Sequence, residues 1–247
     1  MRLSIPLPPK IAHYVGPLIK SELPPQGMAF QVYILTSQRG RFVLKLAHTA
    51  AMSEALNKEA SILRALHAYK PFVAQPLIEE ALEDGHAFLF LYLPGEPLHS
   101  VLQQAEPAER AWLIRQFAQM LQRIHSWRPD LPYPHDWLAT KLAWLHTKIL
   151  ARPRETLIAN TNSSFDGQNA HHLLAELQAA KSTIENEIVF GHYDYCLPNV
   201  LMHAQHVAGV IDWSGGGYID RRFDLATALF SLGLFEPLLP PDYQNIF

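Results

Sequence analysis

The sequence predicts an α+β protein in two lobes, with an antiparallel-sheet N-terminal lobe over residues 1–93 and a mostly helical C-terminal lobe over residues 94–247. Two periodicities carry this expectation. In the N-terminal part, apolar residues alternate with polar ones in short runs broken by polar turns, as half-buried strands require. After Pro97 they recur every three or four residues in longer segments, as amphipathic helices require. The chain has 247 residues, 49% of them hydrophobic, enough to fill a core in each lobe.

Taken in order, "AFQVYILTSQRGRFVLKLA" reads as a hairpin, with Phe30, Val32 and Ile34 alternating, a turn at Gln38-Arg39-Gly40, and Phe42 and Leu44 resuming the alternation. From Ser53 the period changes. Leu56, Ala60, Leu63 and Leu66 predict a helix ending near His67, with Ser53 or Asn57 as its cap. Two more strands flank Glu83-Asp84-Gly85, and an extended segment follows that breaks at Pro94-Gly95. "ERAWLIRQFAQMLQRIHSW" places Trp112, Ile114, Phe117, Leu121 and Ile124 largely on one broad helical face, ended by the Pro-rich "RPDLPYPHD". "WLATKLAWLHTKIL" and "NAHHLLAELQAAKSTI" predict two further helices, joined by the polar stretch "ARPRETLIANTNSSFDGQ". "NVLMHAQHVAGVIDW" returns to alternation around Ala204-Gln205 and predicts a second hairpin.

Composition narrows the function classes. With 20 Lys and Arg against 23 Asp and Glu, the net charge of -3 argues against a nucleic-acid partner. The single Cys196 rules out an internal disulfide and fits a reducing compartment, so a cytoplasmic protein is expected. Pro6, Pro8 and Pro9 interrupt the N-terminal apolar run and no small-residue cleavage site follows, so no secretion signal is expected. No run approaches the roughly 18 to 20 apolar residues that cross a bilayer, so no membrane partner is expected.

The chemistry concentrates in "FGHYDYCLPNVLMHAQHVAGVIDW", Phe190 to Trp213. Asp194 and Asn199 flank a short loop, and a hairpin then carries the chain to Asp212. Phosphoryl transfer needs such a set: a carboxylate to orient an attacking hydroxyl and take its proton, and oxygen ligands for Mg²⁺. In this reading Asp194 is the base, while Asn199 and Asp212 hold the metal. A cation upstream must then hold the nucleotide phosphates. Lys45 is that candidate, because an ammonium inside the apolar strand "FVLKLA" needs a reason to be there, and Glu59 on the following helix can pair with it.

Competing readings of the same stretch are weaker. His203 and His206, with His192 and Asp194, would suggest a zinc-type site in a metal-dependent hydrolase. Yet both flank a hairpin turn, where polar residues belong, and a chain with 13 histidines brings some together by chance. Cys196 has apolar or aromatic neighbours and no evident base, so it reads as a small loop side chain rather than a nucleophile.

Lys45, Glu59, His192-x-Asp194-x-x-x-x-Asn199 and Ile211-Asp212-Trp213, in this order, resemble the set shared by the aminoglycoside phosphotransferase and choline-kinase-like family, relatives of protein kinases. The resemblance covers most of the chain: "FLFLYLPGEPL" is similar to the family's interlobe linker, "LQRIH" to its following helix and "IDRRFDLATAL" to its post-metal segment. It implies a protein-kinase-like fold and two cofactors, ATP and Mg²⁺, with the adenine edge on backbone near Leu91 to Leu93. It also implies a phosphate contact at Lys45, Asp194 as catalytic base, Asn199 and Asp212 as Mg²⁺ ligands, and Asp224 as a brace for the catalytic loop. His192 is implied to support that loop.

The resemblance further implies a small-molecule hydroxyl as acceptor. "HYDYCLPN" keeps all but the glycine of the H-G-D-x-C-L-P-N read by aminoglycoside 3'-phosphotransferases, which favours an aminoglycoside-type antibiotic. Such polycations need an acidic pocket. The segment from Trp137 to Glu187 instead mixes Lys141, Lys148, Arg152 and Arg154 with Glu155, Asp166, Glu176 and Glu185, so a metabolic small-alcohol or amino-sugar kinase competes and a macrolide is a further option. A nucleotide-binding pseudokinase without turnover is the alternative from another class. Three features depart from the family pattern: Tyr193 replaces the usual glycine, the nucleotide-covering loop "PPQGMAFQVY" holds only Gly27, and the chain ends soon after Asp224.

Overall fold

Strands β1 (Leu18–Glu22), β2 (Gln31–Ser37), β3 (Gly40–Ala47), β4 (Pro76–Leu82) and β5 (Gly85–Leu91) form one antiparallel sheet in the order β1-β2-β3-β5-β4. These are the elements of a computed structural model that describes residues 6–24, 30–69, 71–83, 85–150, 169–183, 186–240 and 242–247. Both predicted hairpins of the sheet are present. Ser37 faces Gly40 across the two-residue turn Gln38-Arg39, and Leu82 faces Gly85 at the end of the β4–β5 pair.

Within residues 1–93, β1 and the short helix α1 (Pro9–Val15) were not predicted. Pro8, at the N-cap of α1, offers no side-chain cap, and Pro9 at the first helical position is the local mark of the start. The cap comes from Glu80, seventy positions away, whose buried carboxylate accepts the Lys10 and Ile11 amides at 3.0 and 3.1 Å. Ile11 and Val15 then join Tyr33, Leu35, Phe42, Leu44, Leu46, Ala87 and Leu89 in one core cluster.

Helix α2 (Ala50–Ala65) begins three residues before the predicted Ser53. Its cap is Thr49, whose hydroxyl accepts the Met52 amide at 3.2 Å, and neither Ser53 nor Asn57 serves. Leu56, Ala60, Ile62 and Leu63 are buried, as helical spacing requires, and Glu59 is buried among them.

The chain divides into two compact units, residues 1–98 with 198–216 and residues 99–197 with 217–247. The first unit therefore includes the predicted second hairpin, β8 (Val200–His203) and β9 (His206–Val210), of which β8 pairs with the short β6 (Glu96–Pro97). Ala204 and Gln205 at its turn have φ of 46° and 66°, the left-handed pair that a tight two-residue hairpin turn demands. Val210 bridges to Val73, and the 3-10 turn Trp213–Gly215 packs on α2.

In the second unit, helices α3 (Leu98–Gln104), α4 (Pro107–His125), α5 (Trp137–Leu150), α6 (Ala170–Ala180), α7 (Arg221–Gly233) and α8 (Tyr243–Ile246) accompany an antiparallel pair, β7 (Ile188–Gly191) with β10 (Gly217–Asp220). Helix α4 starts with a capping box between Glu106 and Glu109, and buries Leu113, Ile114, Phe117, Met120, Leu121 and Ile124. Leu113 rather than Trp112 completes the face, because Trp112 is only half-buried. Among the described residues no helix is long and apolar enough to cross a membrane. The stretch 151–168, Asp84 and Gly27 lie outside the described residues.

Candidate active site

The first unit brings Lys45, Glu59 and Asp212 together. Lys45 sits on β3 and Glu59 on α2, respectively 7% and 2% exposed. The Lys45 ammonium donates to both Glu59 oxygens, at 2.8 and 2.9 Å, and to Asp212 Oδ1 at 2.5 Å. Burial works to lower the Lys45 pKa, but the charges of Glu59 and Asp212 and the hydrogen bonds they accept outweigh it and hold the ammonium well above the usual lysine range. Lys45 is thus a permanent cation, held extended by two carboxylates.

The β8–β9 hairpin positions Asn199 and Asp212 at one end. The Ile211 amide donates to the Asn199 carbonyl at 2.9 Å, one residue beyond the β8–β9 ladder. Asp212 has a left-handed backbone, φ 65° and ψ 56°, at the start of the Trp213–Gly215 turn. Trp213, wholly buried, anchors that turn by donating from Nε1 to the Val210 carbonyl at 2.8 Å. The amide oxygen and the carboxylate are both hard donors suited to Mg²⁺.

In the second unit, Asp194 stands exposed on a loop held on both sides. Asp224, wholly buried on α7, accepts the His192 amide at 2.8 Å and the Tyr193 amide at 2.7 Å, while His125 Nε2 lies 3.2 Å from the same carboxylate. His192 Nδ1 accepts the Asp194 amide at 3.3 Å. Beyond Asp194, the Tyr195 hydroxyl donates to the Phe117 carbonyl at 2.7 Å and the Leu197 amide donates to Ser231 Oγ at 3.0 Å. A Cβ at Gly191 would fall 2.6 Å from Asp224 Oδ2, so the loop begins at a residue that must lack one. Tyr193 has φ 74°, a conformation that glycine adopts without cost. Its ring stacks on Phe223 at 4.5 Å between centroids.

The remaining predicted positions are distinct from these two clusters. The Leu91 amide donates to the Gln75 carbonyl at 2.8 Å and the Tyr92 amide to the Arg41 carbonyl at 3.2 Å, which fixes the start of the segment leading to Leu93. Gly27 falls outside the described residues. His203 pairs with His206 across the hairpin turn, and among the described residues no three His, Cys, Asp or Glu side chains gather as a metal cluster. Sequence reasoning missed His125 and Ser231. The one signal for His125 was a histidine at a core-facing position of a long helix; Ser231 carried none.

A profile of the phosphotransferase enzyme family matches residues 21–245. The chain belongs to this family. It is also 37% identical over 49 residues to an aminoglycoside 3'-phosphotransferase of Niallia circulans, a stretch spanning 20% of this chain and 19% of that relative. Among solved structures, a type VIII aminoglycoside-3'-phosphotransferase superposes with a TM-score of 0.71 at 20% identity, over 96% of this chain and 87% of that one. The aminoglycoside phosphotransferase APH(3'')-Id from Streptomyces rimosus, solved with ADP and streptomycin, gives 0.60 at 20% identity over 89% and 91%. A thermostable APH(4)-Ia mutant in ternary complex with ADP and hygromycin B gives 0.68 at 15% identity over 94% and 77%. These likenesses show the protein-kinase-like fold that the motifs implied.

Proposed function

We propose that the protein transfers the γ-phosphate of ATP to a hydroxyl of a small molecule, with an aminoglycoside-type antibiotic as acceptor. Residues 1–93 act as the nucleotide-binding lobe and residues 94–247 as the catalytic and acceptor-binding lobe. The observation that carries the reading is the Lys45–Glu59–Asp212 network: a buried cation fixed by the buried Glu59 and the half-exposed Asp212, the second of which belongs to the oxygen-donor pair Asn199 and Asp212. In this reading Lys45 contacts the nucleotide phosphates and Glu59 keeps it extended toward them. The adenine edge bonds to backbone between Leu91 and Leu93, and Gly27 belongs to the covering loop. Asn199 and Asp212 hold Mg²⁺, which when bound neutralises charge on the transferred phosphoryl group.

Asp194 orients the acceptor hydroxyl and takes its proton as the oxygen attacks. Its loop suits that task, since the flanking backbone amides are tied to Asp224 and Ser231 and the Tyr195 hydroxyl to the Phe117 carbonyl, while the Asp194 side chain meets solvent. The acceptor class draws support from the "YCLPN" run and from the streptomycin and hygromycin B complexes of similar folds. Asp194→Asn is expected to keep the thermal transition of the parent and to lose about 10² to 10⁴ in rate, read as ADP release with Mg-ATP over aminoglycosides, macrolides, choline, amino sugars and homoserine. Unchanged turnover in the variant would remove Asp194 from the mechanism. Nucleotide binding with no ADP release over the whole panel would leave a pseudokinase.

A further inference from the structure

The side chain at position 193 is one the reaction as described does not use. Tyr193 adopts a left-handed backbone, φ 74°, that is strained for a non-glycine residue. What the ring obtains in return is a place in a cluster. It stacks on Phe223, Trp137 meets Phe223 edge-on at 5.8 Å, and the Lys141 ammonium lies 4.2, 4.3 and 4.8 Å from the ring centroids of Trp144, Tyr193 and Phe223.

Three properties make this cluster face a ligand. It is open, since Trp144 is 49% exposed and Lys141, Tyr193 and Phe223 are only half-buried. Its charge is positive: no carboxylate pairs with Lys141 among the described residues, and Lys148, two turns along α5, adds a second ammonium 5.8 Å from the Trp144 ring. It is also fixed, because three ring faces hold an ammonium that would otherwise swing into solvent. Partial burial lowers the Lys141 pKa, as expected for a cation removed from water without a counter-ion. The peptide bond from Tyr193 leads directly to Asp194.

We infer that Lys141, clamped over Tyr193, Trp144 and Phe223, is an acceptor-selecting residue that admits a hydroxyl and rejects an ammonium at the acceptor position beside the hydroxyl offered to Asp194. The inference rests on the proposed phosphotransferase reading and sharpens its acceptor. A neutral hydroxyl can accept a hydrogen bond from Lys141, whereas a second ammonium there meets a like charge in a partly desolvated place, a repulsion large enough for about tenfold discrimination or more.

The test uses the full chain with Mg-ATP and two acceptors that differ in one ring substituent, paromomycin with a hydroxyl and neomycin B with an ammonium. Wild type is expected to favour paromomycin by about tenfold in kcat/KM, mostly through KM. Lys141→Gln should bring the ratio near one and Lys141→Glu should reverse it, with the change carried by KM. Tyr193→Phe should keep the ratio because the ring remains. A purely structural lysine would leave the ratio insensitive to the sign of the charge at position 141. The same ratio in wild type, Lys141→Gln and Lys141→Glu therefore overturns the inference. Turnover without discrimination removes only the selecting role. Absence of Asp194-dependent turnover with every acceptor of the broader panel removes the parent reading with it.

Discussion

At the scale of single residues, the central fact is a lysine that cannot leave its partners. Removing one member of a buried ion pair typically costs about 3 to 5 kcal/mol, because the other charge is stranded. Lys45→Ala strands Glu59, so a loss of that order is expected in chemical denaturation. The double change Lys45→Met with Glu59→Leu removes both buried charges. It should recover most of the stability while remaining without phosphotransfer activity. A double variant as unstable as the single one would show that packing rather than charge dominates here. Lys45 and Glu59 were legible as a pair, because Lys45 is an ammonium inside an apolar strand and Glu59 is a carboxylate on the helix that follows. That Asp212 joins them was not, since 167 positions separate it from Lys45.

At the scale of elements, Asp220 shows how one carboxylate joins a strand end to a helix start. It is the N-cap of α7, accepting the Arg222 amide at 3.0 Å, and it accepts the Arg222 guanidinium at 2.8 and 2.5 Å and the Glu187 amide at 3.2 Å. Burial pushes its pKa up, but the hydrogen bonds from Arg222 and Glu187 and the Arg222 charge outweigh this and hold it below the usual carboxylate range. With the folded pKa lowered, the stabilisation is fully present above the unfolded value of roughly 3.9 and is lost as pH falls through the folded one. Asp220→Asn, which keeps a capping side chain, should cost about 1 to 3 kcal/mol at pH 7 and progressively less as pH falls through the acid range, read by denaturant unfolding. A constant cost across that range would assign the effect to shape rather than charge. Caps also mark the limit of sequence reading at this scale. The cap of α2 lay outside the expected start, and α1 takes its cap from Glu80 on β4.

At the scale of the whole molecule, a ligand that binds only the folded state stabilises it by mass action, by about 2.7 kcal/mol at a hundred times its dissociation constant. Mg-AMP-PNP is therefore expected to raise the thermal transition by several degrees. Excess EDTA should remove much of that rise, and Lys45→Met should show little of it. An EDTA-insensitive rise would argue against Asn199 and Asp212 as metal ligands.

The alternation of apolar residues determined strands β2 to β5 of the first unit, and helical spacing determined α2 and α4, because one buried face imposes a strict period on a local stretch of chain. The order Lys45, Glu59, Asp194, Asn199, Asp212 was likewise readable, since chemistry demands those residue types. Tertiary structure alone decided that residues 198–216 pack with the first unit and that His125 joins Asp224 beneath the loop around Asp194. It alone decided that Tyr193, next in the chain to Asp194, shares one aromatic cluster with Lys141. Such contacts join side chains from distant elements, and no local period records which distant side chain will fill a given space.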